Sequence, residues 1–195
     1  MPEDIERKFR EKINSYHNIS NESFFKLFDI SSEIKLTKNE ILLHQGVVCT
    51  HMYFLYSGYM IAYIDNKEGH RYNKNIFTQG DLVTSTVSAI QHKSSNFTLQ
   101  AITNCILLSL PYKKFKQFIL ETDDLKSFYI SYLEKNWVVE KEKREVSIVL
   151  ENAGTRYFEF LKQNPDIETY VPLQHIASHL GITPTQLSRI RKNKK

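Results

Sequence analysis

Residues 173–192, Leu-Gln-His-Ile-Ala-Ser-His-Leu-Gly-Ile-Thr-Pro-Thr-Gln-Leu-Ser-Arg-Ile-Arg-Lys, have the types and spacing of a segment that reads duplex DNA. Ile176, Ala177 and Leu180 share one face of a short helix, and Ala177 is small enough for a second helix to cross closely. Gly181 suits the left-handed turn that ends that helix. Thr183 then reads as an N-cap, with Pro184 at the first helical position and Gln186 completing a Thr-x-x-Gln capping box. Leu187 and Ile190 give the second helix an inner side. Thr183, Thr185, Gln186, Ser188, Arg189, Arg191 and Lys192 remain at or near its open side, as entry into a major groove requires. Arg189 is the first choice for a base contact, bidentate to guanine. Thr185, Gln186 and Ser188 come next, and Arg191, Lys192, Lys194 and Lys195 suit phosphates.

Other chemistry is less well supported. His175 and His179 stand four apart on one helix, but without the Glu of a His-Glu-x-x-His metalloprotease. A pair facing solvent or phosphate is the simpler expectation, and no metal site is expected. His44 and His51 lack the His-x-His spacing of a metal-dependent jelly-roll enzyme. Cys49 and Cys105 are too few for an iron–sulfur cluster and read as reduced thiols. Tyr53, Tyr56, Tyr59 and Tyr63 fit strand packing. There is no nucleophile–base pairing, phosphate-cradling glycine loop or carboxylate pair, so no catalytic residues and no enzyme are expected.

Charge follows the same division. From Val171 to Lys195 there is no Asp or Glu, against five Arg and Lys, while the whole 195-residue chain carries a net +4. The basicity is local, as on a phosphate-binding surface. Hydrophobic content of 41% and charged content of 25% are those of an ordinary globular protein. The charged start, Met1 to Lys8, is unlike a signal peptide, and no apolar run is long enough to span a bilayer. The cytoplasm is the expected location, with no membrane partner.

The elements that must position this segment can be read from the punctuation. Gly46, Gly58, Gly69 and Gly80 recur at intervals of 12, 11 and 11 residues. Between them lie β-branched and aromatic runs such as 52–56 and 60–64, so an antiparallel roll is expected over 34–111. Further strands are expected at 40–44, 72–77, 97–101 and 105–111. Helices precede it on the face of Ile5, Phe9, Ile13 and Tyr16 and at 24–28, and a short one follows at 112–120. A long helix is expected over 123–150, roughly 42 Å in length. Its Leu125, Phe128, Tyr132 and Trp137 are the expected seam of a two-stranded homodimer, the alternative being that the helix packs along its own roll. Asn152-Ala153-Gly154 reads as a hinge. The expected architecture is α+β: a roll of the jelly-roll type with flanking helices (1–120), a dimerisation helix (121–151) and an all-α helix-turn-helix domain (152–195).

This order resembles the Crp/Fnr regulators, dimeric transcription factors with a cyclic-nucleotide-binding-type sensor. The segments 36–46 (Leu-Thr-Lys-Asn-Glu-Ile-Leu-Leu-His-Gln-Gly), 53–58 (Tyr-Phe-Leu-Tyr-Ser-Gly), 79–81 (Gln-Gly-Asp) and 112–115 (Tyr-Lys-Lys-Phe) carry the likeness through the roll. The block 156–191 resembles a branch of the family common in Bacteroidetes. By this resemblance, Arg189 matches a position used on base edges, and the ligand pocket falls on Val83, Thr84, Ser85, Ser95 and Asn96. Nucleotide-binding members carry a Gly-Glu pair for the ribose and an Arg-Ser/Thr pair for the cyclic phosphate. Here those positions are Thr84-Ser85 and Ser95-Asn96, so carboxylate and guanidinium are both missing. A phosphate without Arg loses a charge-assisted contact of about 1.5–3 kcal/mol per bond, and Lys93 is a poor geometric substitute. Cyclic AMP is therefore not the expected effector; another small molecule, or none, is. The sequence also stops at Lys195, where many members add a β-hairpin wing, so a wingless reader is expected.

The resulting expectation is a homodimeric regulator on a pseudo-palindromic operator, with RNA polymerase as a further contact that the resemblance implies. The rival expectation is a ligand-sensing roll that signals through protein contacts without sequence-specific DNA binding.

Overall fold

The computed structural model describes residues 2–65 and 71–193. The turn expected at Gly69 and the tail residues Lys194 and Lys195 lie outside the described residues. Two helices come first, α1 (Ile5–Asn14) and α2 (Asn21–Asp29). The roll follows: β1 (Ser32–Leu36), β2 (Ile41–Leu43), β3 (His51–Ser57), β4 (Met60–Asp65), β5 (Arg71–Phe77), β6 (Leu82–Val83), a short α3 (Thr86–Gln91), β7 (Thr98–Ala101) and β8 (Cys105–Pro111). These make two four-stranded antiparallel sheets, in the orders β1-β8-β3-β6 and β2-β7-β4-β5. The architecture is α+β with a jelly-roll-like centre, as expected.

Buried apolar residues form one core in and around the roll, among them Phe54, Leu55, Met60, Leu99, Leu107 and Leu108. The helical face of Ile5, Phe9 and Ile13 covers one sheet, each residue 1% exposed, with the Phe9 ring 5.2 Å from that of Phe54. Gly58 is required by both shape and space. Its φ is +98°, and a Cβ there would lie 2.5 Å from the Asn104 carbonyl oxygen and 2.6 Å from Cys105 Sγ.

The helical part begins with α4 (Tyr112–Glu121) and α5 (Asp123–Leu133). A π-helical segment, Glu134–Val139, joins α5 to α6 (Glu140–Leu150), with helical backbone at both junctions. The long helix is thus continuous in path but not in register. A wide π turn adds a residue and swings the apolar stripe by roughly 100°. Before the turn, Leu125 and Phe128 are fully buried and Tyr132 is 6% exposed, all in the roll's own core. This corrects the expected dimer seam: those three side chains are consumed within one protomer, and only Trp137 of the four is partly open. Beyond it, α6 contains no buried residue, and Val149 and Leu150 are 79% and 78% exposed.

Glu151 and Asn152 are extended and end the long helix at the expected break. Asn152 Oδ1 then accepts from the Thr155 amide at 3.0 Å and starts α7 (Ala153–Gln163). Three helices complete the chain: α8 (Ile167–Tyr170), which the sequence reading left unassigned, α9 (Leu173–His179) and α10 (Pro184–Lys192).

Candidate nucleic-acid interface

The turn between α9 and α10 is built as its residues demand. Gly181 has φ +71°, its amide donates to the Ser178 carbonyl at 3.2 Å, and the Ile182 amide donates to Ala177 at 3.0 Å. These two bonds form a Schellman closure of α9. The capping box is complete: Thr183 Oγ1 accepts from the Gln186 amide at 3.1 Å, and Gln186 Oε1 accepts from the Thr183 amide at 2.8 Å. Leu187, Ile176 and Ala177 are fully buried together, which fixes α10 across α9.

Thr185, Gln186, Ser188, Arg189, Arg191 and Lys192 are all exposed, and α10 carries no acidic residue. Arg189 makes no ion pair among the described residues. Three expected contacts are altered by local bonding. The Thr183 hydroxyl and the Gln186 carbonyl oxygen are spent on the cap, which leaves Gln186 its amide donors. Arg191 Nε pairs with Glu168 at 3.1 Å, and the same carboxylate accepts from the Tyr157 hydroxyl at 2.5 Å. Burial, reinforced by that bond, pushes the Tyr157 phenol up to about 12. Arg191 thus ties α10 to α8 and α7, a role that spacing alone does not reveal.

The same domain is seated on the roll. β5 is an edge strand of its sheet, and α9 covers it. The Asn73 amide donates to Ser178 Oγ at 2.8 Å, and Ser178 Oγ donates to the Arg71 carbonyl at 3.2 Å. Asn73 Nδ2 lies 3.0 Å from His175 Nδ1 and donates to the His175 carbonyl at 3.1 Å. Arg144 of α6 donates to the Lys74 carbonyl at 3.1 Å. An apolar layer runs beneath, joining Ile61, Tyr63 and Ile102 of the roll to Tyr157, Ile167, Val171 and Ile176. Tyr59 and Tyr170 stack across it at 5.0 Å. His175 and His179 therefore turn toward the roll, a correction to the expected solvent- or phosphate-facing pair. A groove of about 640 Å³ separates Arg71 and Tyr72 from Thr183, Pro184 and Gln186 at the start of α10.

The expected ligand pocket is closed on itself. Val83, Thr84, Ser85 and Ser95 are buried, whereas Asn96 is exposed. Thr84 Oγ1 donates to the His51 carbonyl at 3.1 Å, and Ser95 Oγ lies 2.9 Å from Ser85 Oγ and 2.7 Å from the Phe97 carbonyl. None of these five residues carries a charge, and Lys93 is exposed. The donor set that a cyclic phosphate needs is not met by these side chains.

Residues 33–122 match the model of the cyclic nucleotide-binding domain. Those residues thus form a roll similar to cyclic nucleotide-binding domains, and a helical domain follows it. Among the proteins that this chain resembles are transcription regulators. It is 23% identical over 167 residues to the cAMP-activated global transcriptional regulator CRP of Salmonella typhimurium, covering 81% of this chain and 80% of that one. FixK2 from Bradyrhizobium japonicum superposes with TM-score 0.69 at 15% identity, covering 84% of each chain. A putative Crp/Fnr-family regulator from Eubacterium rectale gives 0.66 at 20% identity, over 90% of this chain and 83% of that one. Among the described residues no helix is long and apolar enough to cross a membrane.

Proposed function

We propose that this chain is a transcription regulator of the Crp/Fnr type that binds duplex DNA as a two-fold homodimer and does not use cyclic AMP as its effector. One observation carries the reading: α10 is capped and anchored by Leu187, and its acid-free outer face presents Arg189 without an ion-pair partner among the described residues. A short rod held this way can enter a major groove with Arg189 on a guanine edge. Thr185 and Ser188 flank it, and Lys192 suits the backbone. Arg191 can serve a phosphate only in competition with Glu168.

The dimer seam begins in the π segment and continues along α6. Val139, Val146 and Val149 fall at heptad spacing with Trp137, Val138 and Leu150 beside them, all partly or largely exposed. A second copy of α6 would cover this face, as apolar exposure on one helix demands. The uncharged, internally bonded side chains around Ser85 and Ser95 favour a different effector, or none, over cyclic AMP.

The test is selection of bound duplexes from a random pool, followed by mobility shift with Arg189→Ala. The expected result is a pseudo-palindromic site and the loss of preference at one base pair per half-site. Unchanged preference would overturn the assignment of α10 as reader. Titration calorimetry with cyclic AMP should show no heat of binding.

A further inference from the structure

The contact between α9 and β5 contains chemistry that DNA reading does not use. Asn73 is 1% exposed, and its amide nitrogen meets both His175 Nδ1 and the His175 carbonyl. The carbonyl can only accept, so Nδ2 is the atom that faces it and the amide cannot be flipped. His175 Nδ1 must therefore accept as well, which requires the neutral ring. Four residues on, His179 Nδ1 is buried without a hydrogen-bond partner. The Phe160 ring of α7 lies 5.4 Å away from the His179 ring.

The charged groups facing this pair are mostly of one sign. β5 brings Arg71 and Lys74, α6 brings Arg144, and α7 brings Arg156, which donates to the Leu180 carbonyl. The carboxylate beside Arg71, Asp65 on β4, is already held by it at 2.9 and 3.0 Å. Lys74 Nζ turns to the rings of Phe97 and Trp137. A proton on His175 adds a cation beside Arg71, and one on His179 adds a cation beside Arg144; on His175 it also replaces an accepted hydrogen bond with two opposed N–H groups.

We propose that the α9–β5 contact is a proton-sensitive latch, in which neutral His175 and His179 hold the helical domain on the edge of the roll and their protonation releases it. Such a latch would let acidification change the placement of α10 without any ligand in the roll. Desolvation, with Arg144 adding to it, lowers His179 from 6.5 to about 4 in the docked form, although the Lys74 and Asn73 backbone pulls the other way. Desolvation lowers His175 in the same direction, with Arg71 adding to it. The docked form therefore binds fewer protons than the open form. Docking is at full strength above the ordinary histidine range and is lost as pH falls from about 6.5 toward 4. His179 alone would weaken docking about tenfold at pH 5.5.

Hydrogen exchange on the full chain tests this, because the Asn73 amide is bonded across the contact to Ser178 Oγ. Protection factors remove the intrinsic pH dependence of exchange. The Asn73 factor should fall by at least about tenfold from pH 7.5 to 5.5, while amides of strand β8 hold. In His175→Gln/His179→Leu it should stay within about twofold. If that double variant does not fold, His179→Gln should show a shallower fall than the parent. A flat Asn73 factor in the parent would overturn the latch. So would an equally steep fall in the variants, or a parallel fall at β8 that marks acid unfolding of the roll.

Discussion

Both halves of the long helix carry apolar residues, and these meet opposite fates. Before the π turn, Leu125, Phe128 and Tyr132 are drawn into the core of the roll. From its end onward, Val138, Val139, Val146, Val149 and Leu150 stand in the open. The difference is one of phase: a single widened turn rotates the stripe off the roll and leaves it uncovered. α9 and α10 repeat the contrast. α9 is covered by β5, whereas the outer face of α10 is bare. In both pairs, the segment nearer the roll is packed within the chain and the segment beyond it keeps an exposed face.

Mutations should separate these fates. The largest effect is expected at Phe128→Ala, which should lower the unfolding free energy by about 3–5 kcal/mol in denaturant titrations and leave the dimer seam chemically intact. Val146→Asp should do the reverse. It should weaken dimerisation by about 3 kcal/mol in sedimentation equilibrium, with unfolding of the isolated protomer little changed. Arg189→Ala should alter neither fold nor dimer but should cost about 1–3 kcal/mol of discrimination at one base pair. Thr183→Ala, which removes one arm of the capping box, should lower stability by about 1 kcal/mol and loosen α10. If Phe128→Ala instead produced folded monomers, or Val146→Asp unfolded the protomer, the assignment of the two halves would have to be exchanged.

The roll and the α9–α10 turn were legible in the sequence because both are written in local codes. Glycine spacing and alternating runs located β3, β4, β5, β7 and β8 because turns and pleats are local, period-two properties. The capping box over Thr183–Gln186 is likewise a local code, and it formed as written. What stayed hidden was relational. Nothing in the apolar positions of 123–150 shows that a π turn will rotate them, so Leu125, Phe128 and Tyr132 were assigned to a partner. Nothing in His175-Ile-Ala-Ser-His179 shows that an edge strand about 100 residues away in the chain will cover both rings. The Arg191–Glu168 pair escaped for the same reason, since Glu168 sits on a four-residue helix too short to leave a periodic signal.

The central claim, two copies of α10 reading one face of a duplex, is tested most directly by hydroxyl-radical footprinting of the full chain on a selected site. The account predicts two protected patches about one helical turn, or roughly 34 Å, apart, with both lost together in Val146→Asp. A single patch, or protection that survives disruption of the dimer seam unchanged, would contradict it.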